Sequence, residues 1–140
     1  MTADIRPGAI VCTYISTINP PKDKLGLIAH IEPDRDSVAL FLIHSELPKF
    51  IQNNAKLIAG VTSIARQDHA FLDHDSWLRF GDVHSCRYSE LLRQIAAKER
   101  CFCGYASTEL LERLIKLIPL APDLPPKKQK RYCETLSGLL

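Results

Sequence analysis

The chain has 140 residues, of which 46% are hydrophobic and 24% are charged, a balance typical of one soluble globular domain with its own core. A formal net charge of +2 does not mark the whole chain as a nucleic-acid binder, although it leaves room for a local basic patch. No apolar run approaches the ~20 residues that span a bilayer, and the first residues lack the apolar segment of a secretion signal, so we expect a cytoplasmic protein without membrane contact.

Three strands are predicted in the first third of the chain. They are expected at residues 9–17, 25–32 and 37–45. Two prolines make residues 19–24 a loop, because proline cannot donate to a strand ladder. In the second strand, Leu25, Leu27, Ala29 and Ile31 alternate onto one face. A turn at residues 33–36 then predicts that the second and third strands form a hairpin.

The rest of the chain changes from a strand period to a helical period. Residues 50–65 predict one short helical turn and a strand near residues 56–61, and a further strand is expected at 75–80. Ser89 is expected to cap a helix that runs to Lys98, and Ser107 a second helix that stops before Pro119. This order predicts an α+β fold, a small curled antiparallel sheet or barrel with two C-terminal helices packed on it.

Five segments in this order carry a likeness to a known family. They are RPGAIV (6–11), KLGLIAHI (24–31), ALFLIHSELPKF (39–50), AFLDHDSWLRFGDVHSC (70–86) and GYASTELLERLIKLI (104–118). Together they resemble the PemK/MazF family, the ribonuclease toxins of type II toxin–antitoxin pairs. The resemblance implies an SH3-like barrel, a homodimer, an antitoxin partner, and cleavage of single-stranded RNA without a metal or cofactor. It assigns residues 1–122 to the domain and leaves 123–140 as a basic C-terminal tail.

Several positions of this sequence match the family's site. Lys24 stands where the family usually has an arginine, and Ser45 matches a Thr or Ser at the end of the third strand, with His44 beside it. Asp82 corresponds to the Asp of an Asp-Gln pair, in which Val83 replaces the Gln. The resemblance implies that the catalytic residues are Lys24 and Ser45, with His44 beside them, and that Asp82 binds RNA. Arg79, which alternates with Trp77 along the strand, and Lys22 are expected as further RNA-binding residues.

Each of these side chains suits one step of RNA cleavage by the substrate's own 2′-OH. His44 suits proton transfer, Lys24 offsets phosphorane charge, and Ser45 donates to a phosphate oxygen. In a strictly alternating strand His44 and Ser45 face opposite sides, so one site takes both only where the strand ends or bulges. Structural roles stay open for each residue, including a salt bridge from Arg79 to an aspartate and a strand-edge charge at Lys24.

Two other readings of the chemistry remain. His84, Cys86, Cys101 and Cys103 offer four ligands that zinc accepts, but their one-residue gaps are shorter than usual, so we expect no metal and reduced thiols. Asp73 and Asp75 are expected to serve a turn rather than a cation site. The departures at Lys24 and Val83 favour a second hypothesis, a non-catalytic barrel of the same family that binds a partner protein or nucleic acid.

Overall fold

A computed structural model describes residues 5–15, 22–98 and 101–140. Within these residues the strands are β1 (Ala9–Ile15), β2 (Lys22–Glu32), β3 (Ser37–His44), β4 (Val61–Ile64), β5 (Ser76–Arg87) and β6 (Phe102–Tyr105). The helices are α1 (Lys49–Gln52), α2 (Ala55–Ile58), α3 (Tyr88–Ala97), α4 (Thr108–Leu117) and α5 (Pro126–Ser137). Among the described helices, none is both long and apolar enough to cross a membrane.

The strands form one antiparallel sheet that curls into a half-barrel, in the order β4-β5-β3-β2-β1-β6. The predicted hairpin of β2 and β3 is confirmed, with Leu27 opposite Phe41 and Glu32 opposite Ser37. Its connection is a tight turn in which Asp36 takes a left-handed conformation with φ of 47°. The fold is therefore α+β, as the change of period along the chain predicts.

The larger hydrophobic core lies between the sheet and the helices α4 and α5. Strand residues such as Leu27, Phe41 and Phe80 have no exposed surface, and they meet Leu114 of α4 and Leu136 of α5 there. The Phe41 ring packs edge-on against Phe80, with 5.4 Å between the ring centres. Burial of these aromatic and branched side chains is the main stabilising contribution to the fold.

A smaller core lies under α3, on the other face of the sheet. It contains Ile28, Val38, Leu40 and Leu91, with Phe102 packed at its edge. At the same face, buried Thr13 of β1 donates to the Gln94 side chain of α3 at 2.9 Å. α3 thus packs on this face of the sheet, and the contact of Thr13 with Gln94 joins β1 to the helix.

Strand β2 ends at Glu32 as predicted, but differs from its prediction at its start and in its register. It begins at Lys22 rather than Leu25, because its first residues pair with β1, Lys24 lying opposite Thr13 and Lys22 opposite Ile15. Cross-strand pairing outweighs the weak strand preference of lysine and aspartate. The register also shifts between Ile28 and His30. This bulge takes Ile31 out of the predicted face and into the core under α3.

Three other predictions change in the structure. The strand expected near residues 56–61 is instead helix α2, followed by β4. Helix α3 is present, but Ser89 does not cap it; Asp36 receives hydrogen bonds from the Ser89 N–H at 2.7 Å and its hydroxyl at 2.6 Å. The segment predicted as a basic tail contains α5, in which Tyr132 and Leu136 are buried. Helix α4 and its Ser107 cap, which accepts from the Leu110 N–H at 3.1 Å, are confirmed.

Candidate active site

Three neighbouring strands bring three predicted site residues together. Lys24 is near the start of β2 and His44 is the last residue of β3. Between the pairs Phe41–Val83 and Ile43–Leu78, β5 carries more residues than β3, so that residues 79–82 bulge from the ladder and Asp82 lies in the bulge. The sequence alone predicts none of this bulge, because it depends on the pairing of β5 with both β3 and β4.

The three side chains form a continuous hydrogen-bonded chain. The Lys24 Nζ atom lies 3.0 Å from His44 Nδ1, and His44 Nε2 lies 2.8 Å from Asp82 Oδ2. An ionised Asp82 only accepts, so Nε2 carries the hydrogen and donates to it. Nδ1 then holds a lone pair and accepts from the Lys24 ammonium group, which assigns the tautomer of the imidazole.

The charges around these three side chains support the assignment of the His44 tautomer. The hydrogen bond from His44 holds the pKa of Asp82 below its usual value, against the effect of partial burial, and the positive charges of Arg79 and Lys24 act in the same direction as the hydrogen bond. Partial burial lowers the pKa of Lys24, as does the positive charge of Lys22, while Asp82 acts in the opposite direction. Lys24 is thus a cation that gives up a proton more readily than an exposed lysine.

A groove of about 260 Å³ opens beside Lys24 at this end of the sheet. Lys22, Asp23, Lys24 and Ser45 line it from β2 and the end of β3, and residues 71–74 and 76 line it from the loop before β5 and the first residue of that strand. Ser45 is exposed and follows the last residue of β3. Ser45 and Lys24 both line the groove, and His44 is joined to it through its contact with Lys24.

Arg79 makes the kind of contact that was left open as its structural role, a salt bridge to an aspartate. Its Nε atom lies 3.6 Å from Oδ2 of Asp123, which precedes α5. The Asp123 carboxylate lies against Gly60 and Gly81, where a Cβ atom at either position would meet it. Asp123 was not identified from the sequence, since nothing local marks a contact between this residue and β5.

The loop at the far side of the groove contains residues that sequence reasoning had assigned to turn formation. Asp75 does serve the turn, because its Oδ1 atom accepts from the Arg66 N–H at 2.9 Å. Asp73 does not share that role, and instead lines the groove together with Phe71. A strand pattern does not reveal this, because the position of a loop side chain depends on the rest of the fold.

The set of zinc ligands that the sequence offered does not assemble. His84 and Cys86 belong to β5, and three strands separate β5 from β6, which contains Cys103. In the described ranges no group of three or more His, Cys, Asp or Glu side chains is arranged to hold a metal ion. All five cysteines are described, and none is in a disulfide. Burial raises the pKa of Cys103 to about 11, so its thiol stays protonated at neutral pH.

No family model matches the chain, and a search of curated proteins also gives no match.

Proposed function

We propose that this protein is a metal-independent endoribonuclease of the PemK/MazF kind that cleaves single-stranded RNA through attack of the 2′-OH. The observation that carries the proposal is the chain of Asp82, His44 and Lys24 at the edge of a groove that Lys22 and Ser45 also line. This arrangement supports the proposal because it joins a proton acceptor, His44, to a groove that a cation and a hydroxyl line, and phosphodiester cleavage needs these groups.

The first step needs a base for the 2′-OH. In the proposal, the Lys24 ammonium group moves from His44 Nδ1 to a non-bridging phosphate oxygen, which frees the Nδ1 lone pair to take the 2′-OH proton. Asp82 stabilises the imidazolium that forms, since it already accepts from Nε2 at 2.8 Å. The 2′-oxygen then bonds to phosphorus.

The second step breaks the bond between phosphorus and the 5′-oxygen. Lys24 and Ser45 offset the charge of the phosphorane as hydrogen-bond donors at its oxygens, and Lys22 adds positive charge. The lowered pKa of Lys24 suits it to protonate the leaving oxygen. The products are a 2′,3′-cyclic phosphate and a 5′-hydroxyl. Arg79 joins the RNA only if its salt bridge to Asp123 opens.

The wider features of the proposal follow from the same resemblance. We propose that the half-barrel is SH3-like, that two copies form a homodimer, and that an antitoxin protein covers the groove in the cytoplasm. The positive side chains of the groove suit an acidic antitoxin segment as they suit RNA phosphate.

Non-catalytic nucleic-acid binding is the second candidate, and one observation favours it. Both nitrogens of His44 are engaged, Nδ1 by Lys24 and Nε2 by Asp82. Unless Lys24 moves, the imidazole has no lone pair for the 2′-OH, and the groove then binds RNA without cutting it.

Cleavage assays separate the two candidates. Purified protein is incubated with mixed single-stranded RNA with and without EDTA, beside Lys24→Met, His44→Ala and Ser45→Ala. We expect cleavage that EDTA does not change, a loss of at least about 100-fold in Lys24→Met and His44→Ala, and a smaller loss in Ser45→Ala. Lys49→Met is the matched control, because Lys49 is exposed on α1 and does not line the groove.

The outcomes are distinct. RNA binding without cleavage by the native protein would support the second candidate and exclude the first. Loss of cleavage in EDTA would exclude the metal-independent mechanism. Full activity in both Lys24→Met and His44→Ala would place the active site elsewhere in the molecule.

A further inference from the structure

The groove carries two carboxylates that phosphate binding does not explain, Asp23 on β2 and Asp73 on the loop that also contains Phe71. Asp73 is exposed and lines the groove opposite Lys22 and Lys24. Across the residues that the structure describes, Asp73 makes no hydrogen bond and no ion pair, so it is not there to neutralise either lysine. A carboxylate only accepts hydrogen bonds and repels phosphate. Its partner in a nucleic acid must therefore be a group that donates.

The loop holds Asp73 in place before any ligand binds. Leu72 is buried in the main core, Ser76 is buried at the start of β5, and Asp75 accepts from the Arg66 N–H. Asp73 lies between these fixed points, so its backbone is held beside the groove. A prepositioned group binds with less loss of conformational entropy than a mobile one.

An aromatic side chain adjoins the same space. Phe71 is half-buried, packs against the main core, and meets the His69 ring edge-on with 5.8 Å between the ring centres. The part of its ring that faces the groove offers a surface on which a base can stack, as aromatic side chains do in proteins that bind single-stranded nucleic acid. The volume of the groove, about 260 Å³, limits the occupant to a small group.

We propose that this groove is a subsite that selects guanine in the RNA substrate, an inference that rests on the proposed function. The base-pairing edge of guanine has two adjacent donors, N1–H and the N2 amino group, next to the acceptor O6. Asp73 accepts from both donors, and Lys22 donates to O6, while Lys24 stays at the phosphate. Adenine, cytosine and uracil do not offer two adjacent donors to a carboxylate, so the combination of Asp73 with a lysine favours guanine.

Binding of a non-cleavable RNA tests this directly. Fluorescence anisotropy is measured with fully 2′-O-methylated heptamers in which the central base of a uridine tract is guanine, hypoxanthine or adenine. Hypoxanthine lacks only the N2 amino group. We expect the guanine heptamer to bind at least about 10-fold more tightly than the other two, and Asp73→Asn to remove this difference. Asp68→Asn is the control, since Asp68 is exposed and does not line the groove.

The results distinguish failure of the inference from failure of the proposed function. Equal binding of the guanine and hypoxanthine heptamers, or discrimination that persists in Asp73→Asn, would overturn the guanine subsite even where unmodified RNA is cleaved. Guanine preference without cleavage of unmodified RNA would keep the subsite and exclude the endoribonuclease. Binding of no heptamer would overturn the subsite, and absence of cleavage of unmodified RNA as well would overturn both.

Discussion

At the scale of single residues, the pKa of Lys24 is set by neighbours with opposite effects. Burial and the charge of Lys22 lower its pKa, and the charge of Asp82 raises it. We expect the Lys24 titration, followed by NMR of its side-chain carbon next to the amine, to have a midpoint below that of an exposed lysine. Lys22→Met should raise the midpoint, and Asp82→Asn should lower it.

Two variants provide the resonance assignment and the control for this measurement. Lys24→Met identifies the resonance, and Lys49→Met should leave the midpoint unchanged because Lys49 lies outside the groove. A shift in the same direction for Lys22→Met and Asp82→Asn would contradict the arrangement of charges described above.

Asp82 gives the protein an acid-sensitive contact. Its folded-state pKa lies below the ordinary value of 3.8. Its contribution to stability is therefore fully present above pH 3.8 and is lost as the pH falls through the lower, folded-state value. We expect Asp82→Asn to lower the free energy of unfolding by about 1 kcal/mol at pH 7, because a partly exposed charged hydrogen bond is lost.

Urea denaturation at pH 7 and near pH 3 measures this effect. The difference between the native protein and Asp82→Asn should shrink at the lower pH, where the carboxyl group takes up its proton. Asp68→Asn, at an exposed position, serves as the control. A difference that grows on acidification would show that Asp82 is not stabilised by His44.

The bulge in β5 shows, at the scale of elements, why a glycine stands at position 81. A Cβ atom there would overlap the Asp123 carboxylate, which lies against the backbone of Gly81. We expect Gly81→Ala to lower the free energy of unfolding by about 1–3 kcal/mol, as overpacking usually does. Asp123→Ala in the same chain should recover part of this loss, because it removes the overlapping group.

A double-mutant cycle by denaturant unfolding gives the coupling between the two positions. Gly138→Ala is the control, since a Cβ atom there would meet its nearest neighbour, the Thr135 carbonyl oxygen, at an ordinary 3.4 Å. If Gly81→Ala lowered the free energy of unfolding equally in the native protein and in Asp123→Ala, the two side chains would not compete for space.

Elements marked by local signals were predictable from the sequence, and elements fixed by distant partners were not. Helix α4 was expected because its Ser107 cap and its apolar stripe lie within the helix and its first turn. The start of α3 was placed wrongly because its cap comes from Asp36, on the turn before β3. The first residues of β2 were taken for a loop, since only pairing with β1 makes them a strand.

The candidate site was likewise predictable only in part. The family resemblance points to His44, Lys24 and Asp82, but the hydrogen bonds that join them depend on a bulge that no local pattern reveals. The salt bridge of Arg79 to Asp123 was equally hidden, because its partner lies far along the chain. Whether these residues catalyse a reaction stays a prediction.

For the molecule as a whole, α5 joins the end of the chain to the centre of the sheet. Tyr132 is 3% exposed and its ring packs edge-on against Phe41, with 5.5 Å between the ring centres. Thr135 lies 2.7 Å from His30 on β2, and Arg131 lies 3.4 Å from Glu32. The last fifteen residues therefore complete the main core rather than trail from it.

We expect Tyr132→Ala to lower the free energy of unfolding by about 3–5 kcal/mol, because it leaves a large cavity beside Phe41. Chemical denaturation followed by circular dichroism measures the loss. Lys128→Ala, at an exposed position of the same helix, should change stability little. A small effect of Tyr132→Ala would mean that α5 is dispensable for the core.

The packing of Asp123 against Gly81 also has an evolutionary consequence. Two positions that share one volume cannot vary independently, so a descendant of this chain that gains a side chain at position 81 must also replace the aspartate at 123. Among homologous sequences, the pair should therefore change together. An aspartate retained at 123 should go with glycine at 81, so that an ancestral change at either position would restrict which substitutions could follow at the other.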